Sequence, residues 1–89
     1  MYYVYVLQNA ISLDLYIGYT NDLKRRVFEH NKNNKSSFTT NQTGEWLLIY
    51  YESYRSQTDA RDRESKLKHH GSGKKELYKR LKNSFLVCT

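Results

Sequence analysis

The sequence predicts an α+β domain, in which a small, mostly antiparallel three-stranded sheet is flanked by helices in the order β-β-α-β-α-α. Three observations lead to this prediction. A length of 89 residues leaves room for one domain, spanning 1–89. Two runs rich in β-branched and aromatic residues open the chain and are separated by a short polar turn, which is typical of a hairpin. Three later segments carry helical patterns, with one further strand between the first two.

The first two strands form the predicted hairpin. Residues 2–7 are almost all aromatic or β-branched, as in a strand that is covered on both faces. Residues 9–14 form a polar turn, and residues 15–20 form the second strand. This strand contains Gly18, and a glycine inside a strand often marks a bulge or a close approach of another group to the backbone.

The first helix is predicted to follow the capping residue types at 20–22. Leu23, Val27 and His30 then recur at the spacing of one helical face. Residues 31–44 are rich in Asn, Lys, Ser and Thr, a composition that predicts a mobile loop.

The third strand, predicted over 46–51, precedes two basic helices. A capping-box pattern opens the second helix, which is expected to run from about 57 to 69. Gly71-Ser72-Gly73 is expected to break the chain before a short helix from 74 to about 83. Residues 85–87 are apolar and are expected to dock back on the core.

The chain is strongly basic. It carries 15 Lys and Arg against 9 Asp and Glu, a formal net charge of +6 at pH 7. Residues 61–82 hold nine basic and three acidic residues, so this segment alone contributes a net charge equal to that of the whole chain. Such a surface attracts a polyanion, most simply nucleic acid, with an affinity that falls steeply with salt. Basic helices without a ligand are also common, so charge alone leaves both interpretations open.

Cys88 is the single cysteine, so it forms no internal disulfide and has no partner at metal-ligand spacing. This favours a cytoplasmic protein, since disulfides persist mainly in oxidising compartments. No apolar run approaches transmembrane length, and the first five residues are strand-like and unlike a signal peptide. We therefore expect no membrane partner.

An acidic residue at an apolar position of the second helix is the first chemical signal. Ala60 and Leu67 share one helical face, and Glu64 lies between them on that face. An unpaired carboxylate facing a core is costly, so such a group is usually paired, neutralised or bound to a cation. The alternative is a peripheral helix in which Glu64 pairs with a nearby Lys or Arg.

The first helix and the hairpin add groups that suit a phosphate. Arg26 and His30 border the inward face of the helix, while Arg25 points more to water. A guanidinium donates two parallel hydrogen bonds and stays charged. The hairpin can bring Tyr5 and Tyr16 together, and phenols orient or deprotonate water if their pKa falls below about 10. Taken singly, each of these side chains is also compatible with a purely structural role.

The order of these residues resembles a stand-alone GIY-YIG nuclease domain, of the short bacterial type grouped with excision-nuclease-like proteins. Tyr3-Val4-Tyr5 stands in the GIY place and Tyr16-Ile17-Gly18 in the YIG place. The resemblance spans nearly the whole chain, because the same order continues through 20–23, 25–26, 29–30, 50–52 and 60–64. It implies the GIY-YIG fold, with DNA as the partner.

The resemblance also implies roles for five catalytic residues. Tyr5 and Tyr16 would be the paired tyrosines, one of them acting as general base or positioning the attacking water. Arg26 would stabilise charge on the scissile phosphate. Glu64 would hold one divalent cation, Mg²⁺ or Mn²⁺. His30 would sit beside the phosphate as a donor or proton relay.

Contacts with nucleic acid are expected from one glycine, through close backbone approach, and from basic residues: Gly18, Arg25, Lys35, Lys68, Lys74 and Lys75. Two features depart from the family pattern. Tyr3 replaces the first glycine of the GIY triplet, as short members tolerate, and the later asparagine of larger members has no assigned equivalent. Without a further DNA-recognition domain, specificity would come from residues 31–44 or from a protein partner, or would be absent.

The leading hypothesis is a divalent-metal-dependent endonuclease that hydrolyses DNA phosphodiester bonds, directed to damaged or branched sites as in DNA repair. The alternative is a non-catalytic nucleic-acid-binding module. Its binding would depend on residues 74–82 and would not require Glu64. A third hypothesis is a protein-interaction or structural domain, in which the charge serves solubility. Tight, salt-sensitive DNA binding would count against the third. The oligomeric state is left open.

Overall fold

Three strands and three helices follow one another in the predicted order in a computed structural model, which describes residues 1–32, 44–68 and 72–85. The strands are β1 (Tyr2–Asn9), β2 (Leu15–Thr20) and β3 (Trp46–Tyr54). The helices are α1 (Leu23–Lys32), α2 (Gln57–Lys68) and α3 (Ser72–Arg80). The predicted α+β class with a three-stranded antiparallel sheet is confirmed.

β1 is the central strand of the sheet, which has the order β2-β1-β3. Tyr5 of β1 lies opposite Gly18 of β2 and Tyr51 of β3. The residues from Val4 to Asn9 are all buried, which confirms that this strand is covered on both faces. The register between β1 and β2 continues without a shift past Gly18, so the glycine does not mark a bulge.

The two faces of the sheet carry separate apolar clusters. On one face, α2 and α3 pack onto the sheet through the buried residues Val4, Val6, Ile17, Ala60, Leu67, Leu77 and Leu81. On the other face lie Tyr5, Leu7 and Trp46, covered by partly buried Tyr16, Leu23 and Val27. Full burial of one such large apolar side chain contributes about 1.5–3 kcal/mol. Because successive side chains of a strand point to opposite faces, Tyr5 lies under α1, and its neighbours Val4 and Val6 belong to the cluster beneath α2 and α3.

Glu52 of β3 fastens α2 to the sheet. The Arg63 guanidinium donates to both of its carboxylate oxygens, from Nε at 2.9 Å and from Nη2 at 3.1 Å. The hydroxyls of Tyr50 and Tyr54 donate to the same carboxylate. Burial alone would raise the pKa of Glu52, but these hydrogen bonds outweigh it and hold the pKa below its ordinary value. Because Arg63 precedes Glu64, this contact also fixes the part of α2 that carries Glu64.

Several element boundaries differ from the prediction. β1 ends at Asn9 and β3 at Tyr54, beyond their predicted ends, because the two strands stay paired along all of β1. α3 begins at Ser72, although the sequence predicts a chain break over 71–73. Serine and glycine are among the residue types that favour the beginning of a helix, so the helix starts within the segment predicted to break the chain. The same helix ends at Arg80, three residues before its predicted end.

Some predictions fall outside the described residues. They are most of the loop predicted over 31–44, the end of the second helix at residue 69, and residues 86–87 of the tail. Phe85 is described and packs against the cluster beneath α2 and α3, as expected. Among the described helices, none is long and apolar enough to cross a membrane.

Candidate active site

The beginning of α1 determines which of its side chains face the sheet. Asp22 Oδ1 accepts a hydrogen bond from the Arg25 N–H at 3.1 Å, which caps the first turn, and Thr20 Oγ1 accepts one from the Asp22 N–H at 3.1 Å. With the helix begun there, Arg26 and His30 lie four residues apart and are partly buried, whereas Arg25 is exposed. The predicted cap and the predicted inward side of this helix are both present.

The Tyr5 hydroxyl joins two other residues of the predicted site. Arg26 Nε donates to the hydroxyl oxygen at 3.3 Å, and that oxygen lies 3.1 Å from Nε2 of His30. Because the oxygen accepts from Arg26, we assign the phenol proton to the bond with the imidazole. Burial raises the pKa of Tyr5 to about 12, against the hydrogen bond from Arg26, which lowers it. Tyr5 is therefore a neutral phenol near pH 7 and lacks the lowered pKa expected of a base.

Burial distinguishes the two predicted tyrosines from each other. Their rings stack with centroids 6.2 Å apart and an interplanar angle of 26°, so the hairpin does bring Tyr5 and Tyr16 together. Tyr5 is only 1% exposed, whereas Tyr16 is partly open to solvent. The ring centroid of Tyr16 also lies 4.5 Å from that of His30. Of the two, Tyr16 is the tyrosine that a substrate can reach, and Tyr5 is placed to orient Arg26 and His30.

His30 is kept neutral by its surroundings. Burial is the main cause that lowers its pKa, and the neighbouring charge of Arg26 lowers it further, against an opposing effect of Glu29. The next residue, Asn31, anchors this end of α1, and the sequence pattern did not single it out. Asn31 Nδ2 donates to the carbonyl of Trp46 at 3.1 Å, and its Oδ1 accepts from the Trp46 N–H at 2.7 Å. This clamp joins the end of α1 to β3 directly beside His30.

Arg26 stays charged while part of its side chain remains open to solvent. The hydrogen bond with Tyr5 is the largest of the effects that raise its pKa, and burial opposes them. Its Nη1 also donates to Glu29 Oε1 at 3.2 Å, and 40% of the side chain is exposed. The residue lines a groove of about 340 Å³ together with Tyr19, Asn21 and Gln57, among others. A charged guanidinium in such a groove is suited to binding a phosphate.

Glu64 approaches the same site from α2. It lies between the buried Ala60 and Leu67, and 19% of its side chain is exposed. Lys68 Nζ lies 3.1 Å from Glu64 Oε2 and 5.9 Å from the ring centroid of Tyr16. The alternative in which Glu64 pairs with a nearby cation is therefore present in part. The helix itself is not peripheral, because Ala60 and Leu67 belong to the core.

The order and spacing of these groups match a known domain. The GIY-YIG catalytic domain matches residues 1–79 of this chain. The chain belongs to the GIY-YIG family. The matched part includes Tyr5, Tyr16, Arg26, His30 and Glu64, and the predicted resemblance to this family is confirmed.

Relatives of similar length are named UPF0213 proteins. One from Pediococcus acidilactici is 38% identical over 89 residues, covering 99% of this chain and 88% of the relative. One from Halobacterium salinarum is 36% identical over 76 residues, covering 85% of this chain and 96% of the relative. The solution NMR structure of a UPF0213 protein from Bacillus halodurans is 31% identical, with a TM-score of 0.52, and covers 92% of this chain and 86% of that one. These names specify no activity, and the similarity supports the fold.

GIY-YIG nucleases generally use a divalent metal, so the side chains of this chain that could coordinate a metal ion bear on its function. Among the residues that the structure describes, no group of three or more His, Cys, Asp or Glu side chains could hold a metal ion. Glu64 offers a single carboxylate. Mg²⁺ keeps several waters and is usually held by one or two carboxylates together with substrate phosphates. Glu64 therefore fits a cation site that the substrate completes.

The basic residues predicted to contact nucleic acid differ in their placement. Arg25 is in the wall of the groove, with 60% of its side chain exposed. Lys75 is exposed on α3, which packs against α2. Lys68 is engaged in the ion pair described above. Lys35 and the side chain of Lys74 lie outside the described part of this GIY-YIG domain.

Gly18 is buried beneath the paired tyrosines. A Cβ at this position would lie 2.6 Å from the Tyr5 hydroxyl oxygen and 2.8 Å from Tyr5 Cζ. In the structure, the group that approaches Gly18 closely is the Tyr5 phenol. An approach of nucleic acid to the Gly18 backbone stays a prediction.

We expect Gly18→Ala to push the Tyr5 ring away from Arg26 and His30. Forcing an extra methyl group into a packed site should lower the free energy of unfolding by about 1–3 kcal/mol. Urea unfolding followed by circular dichroism measures this loss. A urea midpoint equal to that of the wild type would show that the Tyr5 ring moves at no cost in stability and that its contact with residue 18 does not restrict it.

Proposed function

We propose that this GIY-YIG protein is a divalent-metal-dependent endonuclease that hydrolyses DNA phosphodiester bonds. The observation that carries the proposal is the hydrogen-bonded group around the Tyr5 hydroxyl, which holds a charged guanidinium and a neutral imidazole next to Tyr16. Glu64 lies near Tyr16, since the Lys68 ammonium is 3.1 Å from Glu64 Oε2 and 5.9 Å from the centroid of the Tyr16 ring. Phosphate binding, proton transfer and cation binding are thereby available together, as phosphodiester hydrolysis requires.

Arg26 binds the scissile phosphate and stabilises the negative charge that develops during hydrolysis. Its guanidinium is held from two sides, by Tyr5 at Nε and by Glu29 at Nη1, and it faces the groove. A donor that is fixed before the substrate arrives needs little reorganisation in the transition state. The raised pKa of Arg26 keeps the group charged throughout.

Tyr16 orients the attacking water, or accepts the water's proton as a phenolate, after its own phenol proton has been lost to solvent. Its partial exposure supports this role, since Tyr5 is almost completely buried. His30 lies against the Tyr16 ring, and its lowered pKa leaves it neutral near pH 7. Because its Nε2 accepts from Tyr5, its Nδ1–H is the group that it offers to a phosphate as a donor. Tyr5 is a positioning residue, because its raised pKa keeps the proton on the phenol that links Arg26 to His30.

Glu64 holds the divalent cation, Mg²⁺ or Mn²⁺, which when bound polarises the phosphate and supports the leaving oxygen. The net charge of +6 and the exposed Arg25 and Lys75 support DNA as the substrate. We further propose a cytoplasmic role at damaged or branched DNA, as in DNA repair. Specificity would come from residues 31–44 or from a protein partner.

Cleavage of supercoiled plasmid and of labelled branched and single-stranded oligonucleotides tests the proposal. The wild-type protein is expected to cut at least one of these substrates with Mg²⁺ or Mn²⁺ and none of them with EDTA. Preference for the branched substrate would support a structure-directed enzyme. No cleavage with either metal, together with salt-sensitive DNA binding, would contradict the proposal and favour the non-catalytic nucleic-acid-binding module.

A further inference from the structure

Lys68 places a positive charge beside the carboxylate that would bind the cation. Its Nζ lies 3.1 Å from Glu64 Oε2, and the same ammonium lies 5.9 Å from the ring centroid of Tyr16. The ammonium therefore stands next to both the proposed metal ligand and the partly exposed Tyr16. Among the described residues, it is the one cationic group in ion-pair contact with Glu64.

Local geometry favours this ion pair. Glu64 and Lys68 stand four residues apart on α2 with the acid nearer the N-terminus, which is the favourable order for such a pair. Lys68 also stands in the last described turn of α2, where a cation interacts well with the helix dipole. The Glu64 side chain is mostly covered, whereas 44% of the Lys68 side chain is exposed. The lysine can thus swing into solvent while the carboxylate stays in place.

Other cations near the site are engaged elsewhere. Arg26 is bonded to Tyr5 and Glu29. Arg63, which precedes Glu64, is bonded to Glu52 through both arms of its fork. If Lys68 moves away without replacement, a mostly covered carboxylate is left without a counter-charge, which is unfavourable. A divalent cation at Glu64 would supply that charge.

We propose that Lys68 is an internal counter-ion that occupies Glu64 in the metal-free protein and is displaced when a divalent cation binds. The inference rests on the proposed function, because it takes Glu64 as the metal ligand. A cation must then compete with the ammonium, which weakens metal binding in the absence of DNA. Once displaced, Lys68 is available to a DNA phosphate. The nucleic-acid contact expected of Lys68 is therefore made in the metal-bound state, so metal and DNA binding reinforce each other.

Binding of Mn²⁺ without DNA, followed by the electron paramagnetic resonance signal of the free ion, tests the displacement. The test variant is Lys68→Met, and the matched control is Lys66→Met, which removes the same charge from an exposed position of α2. Lys68→Met is expected to bind Mn²⁺ about fivefold more tightly than the control, the factor that one partly exposed ion pair can supply. Lys68→Arg keeps a cation and should bind as the wild type does.

Each outcome separates this inference from the proposed function. Equal Mn²⁺ affinity in Lys68→Met and Lys66→Met would overturn the counter-ion role, even where the wild type binds the ion. Glu64→Gln should lose Mn²⁺ binding. If it binds as tightly as the wild type, Glu64 is not the ligand, and the metal assignment of the proposed function fails together with this inference. Circular dichroism establishes that each variant is folded, and Lys68→Gln provides a second neutral substitution if the methionine variant does not fold.

Discussion

Glu64→Gln is expected to abolish Mg²⁺-dependent cleavage, while DNA affinity measured without divalent metal stays within about twofold of the wild type. Glutamine keeps the size and shape of the side chain but brings no charge with which to hold a cation. DNA affinity changes little because it comes from the basic residues spread over α2 and α3. Single-turnover cleavage of a labelled oligonucleotide measures the first quantity, and a fluorescence anisotropy titration of the same oligonucleotide measures the second.

Glu76→Gln is the matched control for this change. Glu76 is exposed on α3, so the substitution removes one negative charge from the basic half of the chain without touching the site. This variant should cleave at the wild-type rate. A Glu64→Gln protein that also cleaves at the wild-type rate would end the assignment of Glu64 as the metal ligand.

Arg26→Ala is expected to lower turnover by about 10²–10³-fold and to weaken DNA binding far less. Arg26 contacts the phosphate before hydrolysis, but it stabilises most strongly the charge that develops in the transition state, so its loss acts mainly on turnover. The substitution also removes the donor to the Tyr5 hydroxyl, and so loosens the link to His30. Turnover under saturating enzyme and the dissociation constant for DNA are measured on the same substrate.

Arg25→Ala provides the comparison, since it removes an identical charge from the adjacent position. Its side chain is 60% exposed and makes no contact with Tyr5 among the described residues. We expect Arg25→Ala to weaken DNA binding and to lower the slope of log affinity against log salt concentration by about the amount of one phosphate contact. Turnover should stay unchanged. If Arg26→Ala loses affinity and turnover equally, Arg26 merely binds phosphate in the ground state.

Much of the fold and part of the site could be predicted because they depend on local periodicity. Two runs rich in β-branched and aromatic residues, separated by a polar turn, predict the hairpin, and a hairpin of that length brings Tyr5 and Tyr16 together. Helical spacing predicts that Arg26 and His30 share a side of α1. The same spacing singles out Glu64 as a carboxylate on an apolar face, and it is in fact mostly covered.

The difference between the two tyrosines could not be predicted from the sequence. Both stand on strands and both are aromatic, but burial depends on which of them α1 covers. Tyr5 is enclosed beneath that helix, and burial therefore raises its pKa to about 12. Tyr16 stands at the partly open edge beside His30. Their separate roles depend on the tertiary packing, which no local pattern encodes.

Side-chain contacts between elements that are far apart along the chain could not be predicted from the sequence either. Glu52 and Arg63 belong to a strand and a helix, and no spacing rule joins them. Lys68 is different, because its spacing from Glu64 is that of a helical ion pair. The sequence interpretation assigned it to DNA, since charge alone does not tell which anion a lysine meets. A carboxylate at helical spacing is therefore a competing partner for any basic residue that is assigned to nucleic acid.

The central claim is that Glu64 brings a divalent cation to a site for phosphodiester hydrolysis. The single-turnover cleavage rate as a function of Mg²⁺ concentration, for the wild type and for Glu64→Gln, tests it most directly. The wild-type rate is expected to rise with Mg²⁺, to saturate, and to fall to background with EDTA, while Glu64→Gln stays at background at every concentration. Superimposable curves for the two proteins, or a wild-type rate that EDTA does not reduce, would contradict the claim.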